Sequence, residues 1–236
     1  MFYAFAKVVV GIVVRLIWNP SITGRERIPR SGPVVLASNH VSYADTVVMP
    51  LQVERAVHFL GKSDIFKGGS PINQVFALVL RGLHVMPVDR SGGTASRSAI
   101  EGGLKVLGQG KVLGIYPEGS RSPDGRLHRF KTGTARFALT TGAPVVPVAM
   151  LDTFEAHRGR KVFPRRHPRM KVVVGEPIDV AALAATFEGY EEGRLLRAVT
   201  EVIRERVQEL SGQEYVDEYA SDVKRRLKAS GARTRD

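Results

Sequence analysis

Cysteine is absent from the 236 residues. That excludes disulfides, thiolate metal sites and a cysteine nucleophile, and it is compatible with a reducing compartment. No Gly-x-Ser-x-Gly occurs, so there is no serine elbow of the hydrolase type. No Walker A sequence occurs, so ATP use has no support. The stretch Gly108-x-Gly110-x3-Gly114 is no substitute, because its spacing is wrong and it precedes a strand. Aromatic residues make up only 7% and do not interleave with the basic ones. Stacking platforms for single strands are therefore missing, and zinc-finger spacing is impossible without cysteine. Nucleic acid is not an expected partner. No internal repeat or low-complexity block is present. Acidic residues are the scarcer charge: 23 against 35 Lys and Arg, for a net charge of +12 and a pI of about 10.3. Such a balance favours an anionic partner, either an acidic membrane or a phosphorylated substrate.

Long apolar runs are also scarce. The main one is Phe2 to Trp18, interrupted by Lys7 and Arg15. As a helix it is about 26 Å long, short of the roughly 30 Å hydrocarbon core. Lys7, Gly11 and Arg15 recur at four-residue steps and make one narrow polar stripe. The pattern suits a helix lying in one leaflet. It lacks the charged start and small-x-small end of a secretory signal. Asn19-Pro20 ends it. This divides the chain into an N-terminal membrane-associated helix, residues 1–20, and one domain, residues 21–230.

Beyond a charged connector, Gly24 to Gly32, short apolar runs alternate with helical stretches. Strands are expected at Pro33–Ala37, Val57–Leu60, Leu83–Val88, Val112–Ile115, Val145–Met150 and Met170–Gly175. Helices are expected over Asp45–Leu51, Ile72–Leu80, Ala95–Leu107, from Gly133 to about Thr140, Glu191–Leu210 and Tyr215–Lys228. Strand-helix alternation of this kind predicts an α/β fold with a mostly parallel central sheet flanked by helices. Arg158 to Lys171 is strongly basic without apolar period, and reads as an exposed loop. The tail after Gly231 is expected to be disordered.

The first strand leads into Ser38-Asn39-His40-Val41-Ser42-Tyr43-Ala44-Asp45 and delivers His40 to its carboxyl end, where open α/β folds put their sites. Five helical positions rotate by about 500°, so on a regular helix His40 and Asp45 would point apart. The chain between them must therefore turn, with the helix starting late. Asp45 then holds one imidazole nitrogen and leaves the other as a base. Six His and nine Asp in this length give roughly 0.2 such pairs by chance, so the pair alone carries little. With no protein nucleophile beside it, the pair suits deprotonation of a substrate hydroxyl that attacks an activated acyl group directly.

Three more stretches follow. Gly82-Leu83-His84-Val85-Met86-Pro87-Val88-Asp89-Arg90 ends in a guanidinium whose planar fork matches phosphate oxygens. Tyr116-Pro117-Glu118-Gly119-Ser120-Arg121-Ser122 supplies a second fork and a glycine that lets backbone approach a ligand. In it Glu118 would orient Arg90, Arg121 or the loop backbone, or accept from a substrate hydroxyl. The last is Ala143-Pro144-Val145-Val146-Pro147-Val148-Ala149-Met150. Together the four blocks resemble, in order and spacing, those of the PlsC-like lysophosphatidic acid acyltransferases of the glycerolipid acyltransferase family. The resemblance runs from about Gly32 to Pro177, and Phe130-Lys131-Thr132-Gly133 matches a further family pattern. Val41, Tyr116 and Ser120 stand where many relatives have Gln, Phe and Thr; none of these departures removes a proposed chemical role.

The resemblance implies a seven-stranded sheet and transfer of a fatty acyl group from acyl-CoA or acyl-carrier protein to lysophosphatidic acid, in phospholipid biosynthesis. His40 would be the base and Asp45 its orienter. Ser42, Arg90, Glu118, Gly119, Ser120, Arg121 and Lys131 would bind substrate. No metal or cofactor is implied beyond the thioester co-substrate. The expected partner is an anionic leaflet, approached from the cytoplasmic face. The rival readings are an acyltransferase of this family using glycerol 3-phosphate or another lysophospholipid, and, more remotely, a non-catalytic membrane- or nucleic-acid-binding protein.

Overall fold

The computed structural model describes residues 2–66, 71–88, 93–156 and 169–230. In chain order the elements are α1 (Phe2–Trp18), β1 (Ser21–Thr23), β2 (Val34–Ser38), α2 (Asp45–Gln52), β3 (Val57–Lys62), α3 (Pro71–Gly82), β4 (Val85–Val88), α4 (Gly93–Gly108), β5 (Val112–Ile115), β6 (Leu127–His128), α5 (Gly133–Thr141), β7 (Val145–Leu151), α6 (Thr153–Ala156), β8 (Lys171–Val174), α7 (Val180–Ala185), α8 (Glu192–Ser211), β9 (Tyr215–Val216) and α9 (Ala220–Ala229).

Seven strands form one sheet in the order β1-β8-β7-β2-β5-β3-β4. Every pairing in it is parallel except β7 with β8. A continuous apolar run is what a strand covered on both faces needs, and β2 is buried along its whole length. Its side chains alternate between two apolar layers. Val34 and Leu36 join Val48, Met49, Phe59, Val146 and Val148 on one face. Val35 and Ala37 join Leu113, Phe130, Phe137, Val199 and Ile203 on the other. The helices cover both faces, as the strand-helix alternation requires.

Several boundaries differ from the sequence reading. Residues 21–23 form β1 through parallel pairing with β8, a long-range partner that no local pattern reveals. Tyr215–Lys228 is not one helix. Its first residues pair with β6 as β9, and α9 starts only at Ala220. Most of the basic stretch at 158–171, and the tail after Gly231, lie outside the described residues.

The polar stripe of α1 also has a different job from the expected one. Lys7 donates to the carbonyls of Val53 and Glu54 just past the end of α2. A cation at a helix C-terminus is well placed there. Gly11 lies close to Leu51, and Val14 is buried. Arg15 is exposed and takes no part in this seam. The helix thus docks through Lys7 and Gly11, and turns Val8, Val9, Ile12, Val13 and Leu16 outward. Among the described residues no helix is long and apolar enough to cross a membrane.

Candidate functional site

The adjacent parallel strands β2 and β5 end together, with Ala37 paired to Ile115. The two loops that follow therefore meet. His40 comes from the first and Tyr116 from the second, and their rings stack with centroids 3.9 Å apart and planes 15° from parallel. The predicted turn is present: α2 begins at Asp45 itself. The buried Oδ2 of Asp45 accepts from the amides of Val41 and Ser42, each at 2.8 Å, and lies 2.9 Å from His40 Nδ1. One carboxylate oxygen thus holds both the loop and the ring. It favours a proton on Nδ1, which puts the imidazole lone pair on Nε2. The other oxygen, Oδ1, is buried without a hydrogen-bond partner among the described residues.

Ser42 is buried, and its Oγ accepts from the Ala44 amide at 3.2 Å. Within this turn it braces backbone. Asn39 performs a similar service that sequence reasoning missed. Its Oδ1 accepts from Met150 N at 2.7 Å and its Nδ2 donates to Met150 O at 3.1 Å, so the side chain mimics a strand partner for β7. The amide in Ser38-Asn39-His40 was the available signal, since a buried Asn needs such partners.

Glu118 is completely buried. Its Oε1 accepts from the His40 amide at 3.0 Å and its Oε2 from the His128 amide at 3.1 Å. Burial pushes its carboxyl up to about 8, against the downward pull of those two hydrogen bonds. Of the roles considered for it, orienting loop backbone is the one these bonds supply. Its side chain is fully enclosed, with both oxygens turned to backbone amides. His128 is equally buried and sits 3.0 Å from Asp124 through Nε2. Burial raises the Asp124 carboxyl, but hydrogen bonds from Arg126 and His128 outweigh it and hold it at about 2. This second His–Asp pair is a strut of the loop. It differs from His40–Asp45 in order and spacing, and its ring is closed off where that of His40 is partly exposed.

A cavity of about 480 Å³ opens beside His40. Tyr43, Ser120 and Arg121 line one part; Phe59, Leu60, Leu80, Val85 and Phe137 make an apolar remainder. The guanidinium carbon of Arg121 sits 3.6 Å from the centroid of the Tyr43 ring, a cation–π contact that anchors the side chain. Ser120 Oγ donates to the Arg121 carbonyl. Gly119 takes φ of 73°, and an added Cβ would stand 2.9 Å from Lys131 Cε. Its own amide donates to the Tyr116 carbonyl, so Gly119 itself is not an oxyanion donor in this arrangement. Lys131 is exposed and lines an adjoining cavity of about 630 Å³, which shares Leu60, Ile115, Tyr116, Gly119 and Phe137 with the first. Arg90 lies outside the described residues.

The structure thus brings His40, Asp45, Gly119, Ser120 and Arg121 together. An oriented imidazole, a guanidinium and an apolar chamber suit a base, an anion ligand and a hydrocarbon tail. Comparison with known proteins agrees with that chemistry. The Acyltransferase family model matches residues 19–151, more than half of the chain. The chain belongs to the acyltransferase family, and it is an enzyme of acyl transfer. Among its relatives is the 1-acyl-sn-glycerol-3-phosphate acyltransferase of Bacillus subtilis (strain 168), 26% identical over 89% of this chain and 98% of that protein. The chloroplastic enzyme of that name, LPAT1, from Arabidopsis thaliana is 28% identical over 73% of this chain, which spans only 47% of it. The crystal structure of PlsC, the 1-acyl-sn-glycerophosphate (LPA) acyltransferase from Thermotoga maritima, superposes with a TM-score of 0.64. It is 23% identical, over 88% of this chain and 79% of that one, and shares the fold.

Proposed function

We propose that the protein transfers a fatty acyl group from a thioester to the free hydroxyl of lysophosphatidic acid, giving phosphatidic acid. The observation that carries this reading is the His40–Asp45 pair opening onto a chamber that also holds Arg121 and an apolar wall. His40 Nε2 takes the hydroxyl proton as the acceptor oxygen bonds to the thioester carbonyl carbon. Asp45 stabilises the resulting imidazolium. The developing oxyanion needs backbone donors, and the Ser120 amide is the next along the turn after Gly119. When the carbon–sulfur bond breaks, His40 returns the proton to the leaving thiolate. Arg121 and Lys131 hold the acceptor phosphate, and Arg90 is assigned the same task from its motif. Acyl-CoA and acyl-carrier protein are both suitable donors, because only the thioester reacts.

The lipid substrate calls for a membrane, and the outward face of α1 supplies an apolar surface for an anionic leaflet. Val75 and Leu78 of α3, a helix that packs on α1, extend that surface. Leu80 of the same helix lines the chamber, so the docking face and the substrate chamber share one element.

The test uses purified protein, lysophosphatidic acid and each thioester donor in turn, with thiol release and phosphatidic acid followed together. Stoichiometric release and product are expected with at least one donor. Absence of product with both, or faster acylation of glycerol 3-phosphate or a phosphodiester lysophospholipid, overturns the reading.

A further inference from the structure

The chamber wall contains one residue from far outside the four sequence blocks and the matched family region. Lys224, on α9, lines the same chamber as His40, Tyr43 and Arg121. It is half-buried, while its neighbours Ala220 and Val223 seat the helix firmly. The segment leading to α9 is stitched to the loop below the site. Gln213 accepts from Asn39 at 2.7 Å and donates to the Gly125 carbonyl. The amides of Leu127 and Arg129 donate to the carbonyls of Glu214 and Glu218, at 2.9 and 3.0 Å. Tyr219 lies against the Arg129 guanidinium, and Arg226 pairs with Glu218 at 2.7 Å. Both ends of this stitching touch the site: Asn39 precedes His40, and the 127–129 strip is bound to Glu118 through His128. Lys224 is therefore delivered to a defined place.

Among the described residues, the chamber lining holds two permanent cations, Arg121 and Lys224, and no carboxylate. Lys131 opens on the adjoining cavity, so of the phosphate ligands already assigned only Arg121 lines this chamber among the described residues, and a phosphomonoester carries close to two negative charges at neutral pH. We propose that Lys224 is a phosphate ligand for the acceptor, completing with Arg121 a two-cation seat beside His40; this rests on the reading of the acceptor as lysophosphatidic acid. The acceptor's phosphate is the one suited to the position. A short glycerol arm joins it to the hydroxyl that must reach His40, whereas a long pantetheine arm separates a donor's thioester from its phosphates. Arg121, anchored on Tyr43, fixes geometry with its planar fork; Lys224 adds a compact charge on a flexible stem.

The test compares wild type with Lys224→Ala and Lys224→Arg, in steady-state kinetics with lysophosphatidic acid, monoacylglycerol and varied donor. Lys224→Ala is expected to raise KM for lysophosphatidic acid about tenfold with kcat within about twofold, and Lys224→Arg to recover most of the loss. KM for the donor, and any slow turnover of phosphate-free monoacylglycerol, should not change. Unchanged KM for lysophosphatidic acid overturns the proposal. So does an equal loss with monoacylglycerol, or a rise in donor KM alone, which would assign Lys224 to the donor's phosphates. If wild type acylates no lysophosphatidic acid, the functional reading fails by itself. Direct binding of lysophosphatidic acid to wild type and Lys224→Ala then decides the seat: about tenfold weaker binding by the variant supports it, and equal binding removes it.

Discussion

The carboxylate of Glu118 reaches across from the loop after β5 to accept the backbone amide of His40 at 3.0 Å. Its other oxygen accepts the amide of His128 at 3.1 Å. One buried side chain therefore sets the position of the candidate base without touching its ring. Replacing it by Gln puts an NH2 where one of two amides needs an acceptor. That leaves a buried N–H unpaired, for about 1–3 kcal/mol of stability. Chemical denaturation of Glu118→Gln should show that loss, and its kcat should fall with the acceptor's KM little altered.

The same group makes stability depend on pH with a definite sign. Burial holds its carboxyl at about 8 in the folded protein, against about 4.5 when unfolded. Between those values the folded state binds more protons, so stability falls as pH rises. Its contribution is complete below about 4.5 and gone above about 8. The difference in Tm between wild type and Glu118→Gln should shrink across that window. A difference constant with pH would remove Glu118 as the titrating group.

His40→Ala should cost at least about 10²-fold in kcat, because no other imidazole lines the chamber among the described residues. Asp45→Ala removes the acceptor for two amides as well as the ring's partner. It should lower both kcat and stability, the latter by about 2–4 kcal/mol. Single-turnover rates measured beside denaturation midpoints separate the two effects. Near-normal turnover by His40→Ala would end its assignment as base.

At the neighbouring strands β3 and β4, His58 and His84 stack at 4.6 Å, and Tyr3 of α1 stacks on His84 at 4.3 Å. Burial lowers the pKa of both histidines. His84 and Lys111 depress His58 further, and Lys111 does the same to His84. Their folded pKa values lie below the unfolded value of 6.5, so the unfolded chain binds more protons as pH falls. Stability is retained above about 6.5 and declines below it. His58→Phe keeps a ring in the stack and removes one titration. Relative to wild type, its Tm should rise as pH goes from 7 to 5.

The outward face of α1 predicts vesicle binding. Leu16 is 75% exposed and Val8 61%. Leu16→Asp with Val8→Asp should weaken cosedimentation with anionic vesicles by at least about tenfold, since it adds charge and removes buried apolar area. Turnover of a short-chain, water-soluble acceptor should stay near wild type. Equal cosedimentation of both proteins would send the membrane contact elsewhere.

Residue order alone was enough for the β2 strand, the late start of α2, the His40–Asp45 pairing and the ordered blocks that resemble the acyltransferases. Each is a short-range matter: an apolar run, a turn that must fit between two side chains, a glycine beside a guanidinium. Contacts across long stretches of chain had no such signature. Asn39 grips Met150, Glu118 joins His40 to His128, β9 pairs with β6, and Lys224 enters the chamber only because that pairing carries α9 there. The two His–Asp pairs make the distinction concrete. Sequence presents both His40–Asp45 and Asp124–His128 as near-neighbour pairs, and the fold leaves the His40 ring partly open while it encloses that of His128, because burial is a property of the assembled chain and not of its spacing.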